Sequence, residues 1–316
     1  MRTTIAILAG ATALSLAVSP AVAQEQSRPS ARDILGRVLE AVLGDEEQPE
    51  QDAAAEAVVD AVPAPTLETV LAHERRNADR ARDQYRNPAA TLAFFQIEPT
   101  QTVVEWGPGG GWYTRVLAPY LAQEGAYVAV NGDSDGRTYP NRNAELRAKG
   151  WTQRFRKTVA EMTGVTADQV AAYELDEVPE GLNGTADRVL IFRSMHGLWN
   201  ADEADEVLGG LRKLLADEGM VGVVQHRAPA NASWSDVNPA RGYMRQTDII
   251  KLFELHGFRL VSTSEVNANP RDPANWERGV WTLPPVLTTG EDDPRRDEYL
   301  AIGESDRMTL LFRKVD

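Results

Sequence analysis

The chain of 316 residues contains no cysteine. That excludes disulfides, thiolate-held metals and cysteine nucleophiles, and it leaves the redox compartment open. Positive charge is scarce too: 33 Lys and Arg against 47 Asp and Glu give a formal net charge of -14. A general nucleic-acid binder shows a basic field, so no nucleic-acid partner is expected. Histidine occurs only four times. After the first two dozen residues no apolar run is long enough to cross a bilayer. What is plentiful is core-forming material, with 42% hydrophobic residues and 7 Trp.

The N-terminus has the three parts of an export signal. Arg2 precedes an apolar stretch from Ile5 to Val18, and Ala21-Val22-Ala23 follows. A positive start, a short apolar run and an A-x-A ending predict a signal peptide over 1–23, leaving a mature periplasmic or secreted chain without a stable membrane span. Residues 24–65 read as a leader. "ARDILGRVLEAVLG" places Ile34, Leu35, Val38, Leu39 and Val42 at helical spacing, which suggests a short amphipathic helix. From Asp45 to Asp60 there are seven acidic residues and no basic one, the composition of a solvated linker.

From Thr66 the pattern changes. "TLETVLAHERRNADRARDQYRNP" reads as one helix that ends before Pro88, with arginines and acids interleaved on a solvated face. Strand candidates follow at 102–106, 126–131, 188–195, 220–226, 259–266 and 307–314. Helix candidates lie between them at 111–122, 141–149, 201–216 and 246–256, with Gly219 as the stop after the third. Strands alternating with helices predict an α/β fold with a parallel sheet covered on both faces.

Between the first strand and the first following helix stands "EWGPGGGWYT", in which five of the six positions 106–111 are Gly or Pro. Glycine is favoured where a chain turns tightly or approaches a ligand closely. A dinucleotide loop needs G-x-G-x-x-G. Counted from Gly107 the last position is Trp112, and counted from Gly109 it is Thr114, so that register fails. An acid followed by alternating glycines, E-x-G-x-G-x-G, is satisfied by Glu105, Gly107, Gly109 and Gly111.

Here the chain resembles the class I S-adenosylmethionine-dependent methyltransferases, and more narrowly the exported "predicted methyltransferase" family of bacteria. The resemblance rests on "EWGPGGGWYT", "FRSMHGLWN", "VVQHRAP" and "LAIGESDRMTLLFRK", in order, and covers residues 66–316. It implies a Rossmann-like, doubly wound, mostly parallel seven-stranded sheet with helices on both faces. It also implies S-adenosylmethionine as cofactor and a small-molecule methyl acceptor. Gly107, Gly109 and Gly111 would admit the methionine part of the cofactor, and Glu105 would receive its ammonium. Asn131 stands where the family normally has the ribose-binding acid, with Asp133 two residues on. Asn donates and accepts but lacks a carboxylate's charge-assisted bond. Glu174 aligns with the acid that reads the adenine amino group; Asp176 is equally available.

In open α/β sheets ligands bind outside the carboxyl ends of the strands. His196 and His226 fall at two such ends and are the candidate proton acceptors for a methyl acceptor. Arg227 either holds an anionic acceptor or pairs with an acid of the domain. The histidines lack metal-ligand spacing such as H-E-x-x-H, and no metal is expected. Trp276 and Trp281, in the long segment 267–306, line an acceptor pocket or plug the core. A non-catalytic ligand-binding protein that keeps this fold is the alternative function.

Overall fold

The computed structural model describes residues 64–233 and 237–315, together with Gly36. The expected signal peptide and nearly all of the leader lie outside the described residues. No helix among the described residues is long and apolar enough to cross a membrane.

The strands are β1 (Thr102–Trp106), β2 (Ala126–Asn131), β3 (Ala171–Glu174), β4 (Ala186–Phe192), β5 (Leu215–His226), β6 (Phe258–Ser264) and β7 (Arg307–Lys314). They form one seven-stranded sheet in the order β3-β2-β1-β4-β5-β7-β6. The five strands from β3 to β5 are parallel, and β7 runs antiparallel to both β5 and β6. Because the central strands are covered on both faces, they are apolar nearly throughout, and β1 is buried at all five positions.

Helices α1 (Leu67–Ala72), α2 (Asn77–Arg80), α3 (Asp83–Arg86) and α4 (Pro88–Phe94) precede the sheet. Between β1 and β3 come α5 (Thr114–Leu121), α6 (Arg142–Lys149) and α7 (Trp151–Thr163). Then follow α8 (Met195–Ala201), α9 (Ala204–Leu214), α10 (Gln246–Leu255) and α11 (Arg296–Ile302). Alternation along β1 sends neighbouring side chains to opposite layers. Val104 and Trp106 pack with Leu208 and Leu211 of α9 and Phe253 of α10. Val103 packs in the other layer with Leu117 and Leu121 of α5 and Phe155 and Val159 of α7. Truncating a fully buried leucine such as Leu211 would cost about 2–5 kcal/mol.

Four sequence expectations change. The continuous helix from Thr66 breaks into short turns, because between Leu71 and Tyr85 the segment has no large apolar residue to bury. Two of its arginines turn inward, Arg76 at 0% and Arg86 at 1% exposed, while Arg75 and Arg80 face solvent as expected. Gly219 is not a helix stop. Helix α9 already ends at Leu214, and Gly219 sits in an irregular stretch of β5 between the pairs Ala186–Leu215 and Arg188–Met220. A Cβ there would stand 2.8 Å from the Ala186 carbonyl oxygen, so glycine permits the close strand approach. The expected helix over 201–216 is the shorter α9, separated from α8 at Asp202, which lies in the left-handed region. Helix α7 was not expected, although Trp151, Phe155, Val159 and Met162 have helical spacing.

The segment 267–306 belongs to a small third core in which Trp276, Val280, Leu283 and Tyr299 cluster with Tyr243. Trp276 is a core residue whose indole N–H donates to Asp272 at 2.9 Å. Trp281 faces the cleft described next.

Candidate functional site

The strand order reverses between β1 and β4, so the loops leaving these two strands diverge and leave a crevice at the carboxyl end of the sheet. The loop after β1 carries the glycines. Gly107, Gly109 and Gly111 have φ of +56°, +55° and +72°, a left-handed region that side chains strongly disfavour. Their surroundings differ. A Cβ on Gly107 would meet nothing within 4 Å, and one on Gly109 only the Gly107 carbonyl at 3.9 Å. These two therefore hold a turn beside open space. At Gly111 a Cβ would lie 2.8 Å from Met162 of α7, so this glycine serves helix packing.

Glu105 lies just below the loop and is 2% exposed. Its Oε2 accepts from the Tyr127 hydroxyl at 2.6 Å and from the Thr114 hydroxyl at 2.8 Å. No residue of the described chain hydrogen-bonds Oε1. Burial raises its pKa to about 7, against the lowering effect of those two hydroxyls and of Arg193 and Arg115. A carboxyl desolvated in this way is poised to gain from a cationic ligand.

The crevice has two compartments that share Gly107 and Ser194. One, of about 370 Å³, is lined by Asn131, Asp133, Glu174 and Glu203 with Trp106 and Leu198. The structure thus brings all three sequence-predicted polar residues of β2 and β3 together. The Asn131 amide makes no hydrogen bond within the described chain. Asp133 Oδ1 accepts from the Asp176 backbone N–H at 3.1 Å. One oxygen of Glu174 accepts from the Ser134 N–H at 2.6 Å, so this carboxylate also holds the loop after β2. Asp176 lines neither compartment of the crevice; burial and the neighbouring Asp133 raise its pKa.

The other compartment, of about 450 Å³, is lined by the glycine loop, Glu105, His196, His226, Trp281 and several arginines. The two imidazoles arrive from the ends of β4 and β5, with ring centres 5.7 Å apart. His226 Nδ1 lies 2.6 Å from Ser305 Oγ, and His196 Nδ1 lies 3.3 Å from the Gln225 amide nitrogen. Burial lowers the pKa of His196, and it lowers that of His226 much further, helped by Arg193 and Arg307. Both rings are neutral at neutral pH, the form that accepts a proton.

Arg227 is not brought into the crevice. It pairs with Glu265 at 2.7 Å and Asp306 at 2.8 Å, and these two acids raise its pKa further. Of the two roles open to it, the structure selects the intradomain pair, and Arg227 is dropped as a candidate for chemistry.

Sequence reasoning passed over Thr114, Tyr127 and Arg193. The first two were detectable only in part: Thr114 opens the helix after the glycine loop, while Tyr127 reads as an ordinary strand residue. Arg193 follows β4 with φ +57°, a strained backbone for a non-glycine residue. Its backbone N–H donates to the Val224 carbonyl at 2.6 Å, which ties the β4 and β5 ends, and the residue lines the crevice.

No family model and no curated protein matches the chain. Solved structures do. A SAM-dependent methyltransferase from Aquifex aeolicus is 16% identical, with 62% of this chain and 94% of that one covered and a TM-score of 0.43. A 1,6-didemethyltoxoflavin-N1-methyltransferase from Burkholderia thailandensis, with 1,6-didemethyltoxoflavin and S-adenosylhomocysteine bound, is 16% identical over 83% of this chain and 100% of that one, at TM-score 0.41. The [4+2]-cyclase SpnF is 12% identical over 73% and 80%, at TM-score 0.44. The chain's own sheet order, with one antiparallel strand inserted between β5 and β6 and a glycine loop after β1, is the class I methyltransferase fold.

Proposed function

We propose that the chain is an S-adenosylmethionine-dependent methyltransferase of a small or medium acceptor, working after export. The observation that supports this most is the join at Gly107. There a turn with open space where two Cβ atoms would stand lies beside a buried acid with one free oxygen.

The donor set fits the cofactor. Glu105 Oε1 would take its ammonium, Gly107 and Gly109 would admit the chain next to the sulfonium, and Asn131 and Asp133 would hold the ribose hydroxyls. Glu174 would meet the adenine with the oxygen not used by Ser134. When bound, the cofactor supplies an electrophilic methyl group. The protein's share is alignment, since a held near-attack geometry removes much of such a barrier. His226 is placed to take the acceptor's proton, and Ser305 orients its ring. His196 lines the same compartment and is the second candidate for that proton. Trp281 closes on His196, with ring centres 5.8 Å apart, and limits water at the reacting centre.

The non-catalytic alternative draws on Asn131, whose neutral amide holds a ribose less firmly than a carboxylate. Turnover separates the two readings; cofactor binding tests what both share. Titrating the purified mature chain with S-adenosylhomocysteine should give one saturable site that Gly109→Val removes while the fold, followed by circular dichroism, persists. No binding at millimolar ligand would sink both.

A further inference from the structure

The acceptor compartment gathers buried and half-buried positive charge in excess of the one acid that pairs with it. Arg82, Arg86 and Arg307 all converge on one carboxylate, Glu304, at 2.6, 3.0 and 3.2 Å. Glu304 is only 4% exposed, and Arg86 and Arg307 are 1% and 2%. A fourth guanidinium, Arg193, makes no ion pair or side-chain hydrogen bond within the described chain. Burial together with the repulsion of Arg307 and Arg82 brings its pKa down to about 10. Arg86 offers a further sign: its Nη1 and Nη2 are buried without hydrogen-bond partners. The guanidinium instead lies 4.8 Å from the Trp112 ring centre. Arg82, Arg86 and Arg193 all line the same crevice as His226.

Unpaired buried charge is expensive, and removing one partner of a buried pair costs about 3–5 kcal/mol. Three guanidiniums that share one carboxylate, with a fourth beside them that has none, therefore call for another anion. Glu105 answers weakly, because its pKa of about 7 leaves it only half ionised at neutral pH. Nor does the cofactor reading supply the charge. S-adenosylmethionine brings one carboxylate but also an ammonium and a sulfonium, so it adds net positive charge.

We infer that Arg82, Arg86 and Arg193 form the recognition site for an oxyanion, a carboxylate or phosphate, carried by the methyl acceptor. Planar guanidinium forks suit both groups, and the bonds are charge-assisted. The site places the acceptor's anionic end against α3, with its nucleophilic atom turned towards His226. The inference rests on the methyltransferase reading for the word acceptor, whereas the anion site itself does not.

The test uses the mature full chain, with inorganic phosphate as probe and chloride of equal ionic strength as control. Phosphate should bind saturably to protein already saturated with S-adenosylhomocysteine. Measured about a unit or more above pH 7, where Glu105 is ionised with or without Arg193 beside it, Arg193→Gln should weaken phosphate about tenfold or more and leave S-adenosylhomocysteine affinity nearly unchanged. Arg193→Lys should restore part of the loss, and both variants should melt as cooperatively as the parent. Three results would overturn the assignment: no saturable phosphate binding, phosphate competing with S-adenosylhomocysteine, or loss of S-adenosylhomocysteine binding in Arg193→Gln. The last two would identify the anion as the cofactor's own carboxylate. Phosphate binding lost in Arg193→Gln, in a protein blind to S-adenosylhomocysteine, would uphold the anion site and sink the cofactor reading instead.

Discussion

On the β2 and β3 side of Gly107 the crevice is walled by Asp133, Glu174 and Glu203, whereas on the α3 side it is walled by Arg82, Arg86 and Arg193. The acids crowd one another: burial and acidic neighbours raise the pKa values of Asp176 and Glu177, and Arg137 pairs with Glu203 at 2.7 Å. The arginines crowd likewise around Glu304. One crevice thus presents opposite fields at its two ends, and a chain of net charge -14 keeps a basic pocket. Net charge speaks to the exterior field and to solubility; it does not describe a site. Hydroxyl-rich ligand parts suit the first compartment and anionic parts the arginine wall of the second, with Glu105 beside the shared Gly107 as the one acid there for a cation.

The comparison breaks most completely at the glycine loop, which leads from the shared Gly107 into the second compartment. Gly109→Val should abolish S-adenosylhomocysteine binding in calorimetry, because the side chain enters the space beside the loop and strains a backbone at φ +55°. The strain alone should lower stability by about 1–3 kcal/mol. Next in size is His226→Ala, which should slow methyl transfer roughly 10²–10⁴-fold while S-adenosylhomocysteine affinity stays nearly intact. Equal loss of both would make His226 a structural residue. His196→Ala is the matched comparison from the same compartment.

A pH titration sharpens the contrast through Glu105. An ammonium ligand needs its carboxylate form, so affinity for S-adenosylhomocysteine should fall as pH drops below about 7, by about tenfold per unit, and level off above. Glu105→Gln should flatten the profile. In the free protein the sign is opposite. The folded state holds this proton more tightly than the unfolded chain, so the stability contributed by the raised pKa is lost as pH rises from about 4.5 to about 7. At higher pH Glu105→Gln should therefore stabilise the free protein by about 1–3 kcal/mol, measured by urea unfolding. The smallest effect belongs to the acidic compartment. Asp133→Asn should weaken S-adenosylhomocysteine by about tenfold and leave phosphate binding untouched.

Much of this architecture was readable before any coordinates. Strands β1, β2 and β7 fall at their expected ends because buried parallel strands and glycine turns leave local marks. The failed dinucleotide register and the alternate glycines fixed the loop's character. The positive charge was hidden for a physical reason. Arg82 and Arg86 meet their partner Glu304 across 222 and 218 positions, and locally they alternate with acids as a solvated helix would. Arg227 misled in the opposite sense, since its neutralising acids lie 38 and 79 residues away. Arg193 sat inside a recognised motif, yet only its left-handed backbone shows why it points at the crevice. Gly219 reads locally as a helix stop, and its strand contact is a tertiary fact.

The most direct measurement of the central claim is a melting curve of the purified protein with and without S-adenosylhomocysteine. At about 100 times its dissociation constant, a ligand of the folded state adds ~2.7 kcal/mol. For a chain of this size that is a rise in Tm of roughly 5–10 °C, and Gly109→Val should show none of it. An unchanged Tm at millimolar S-adenosylhomocysteine, in protein that melts cooperatively, would contradict the account.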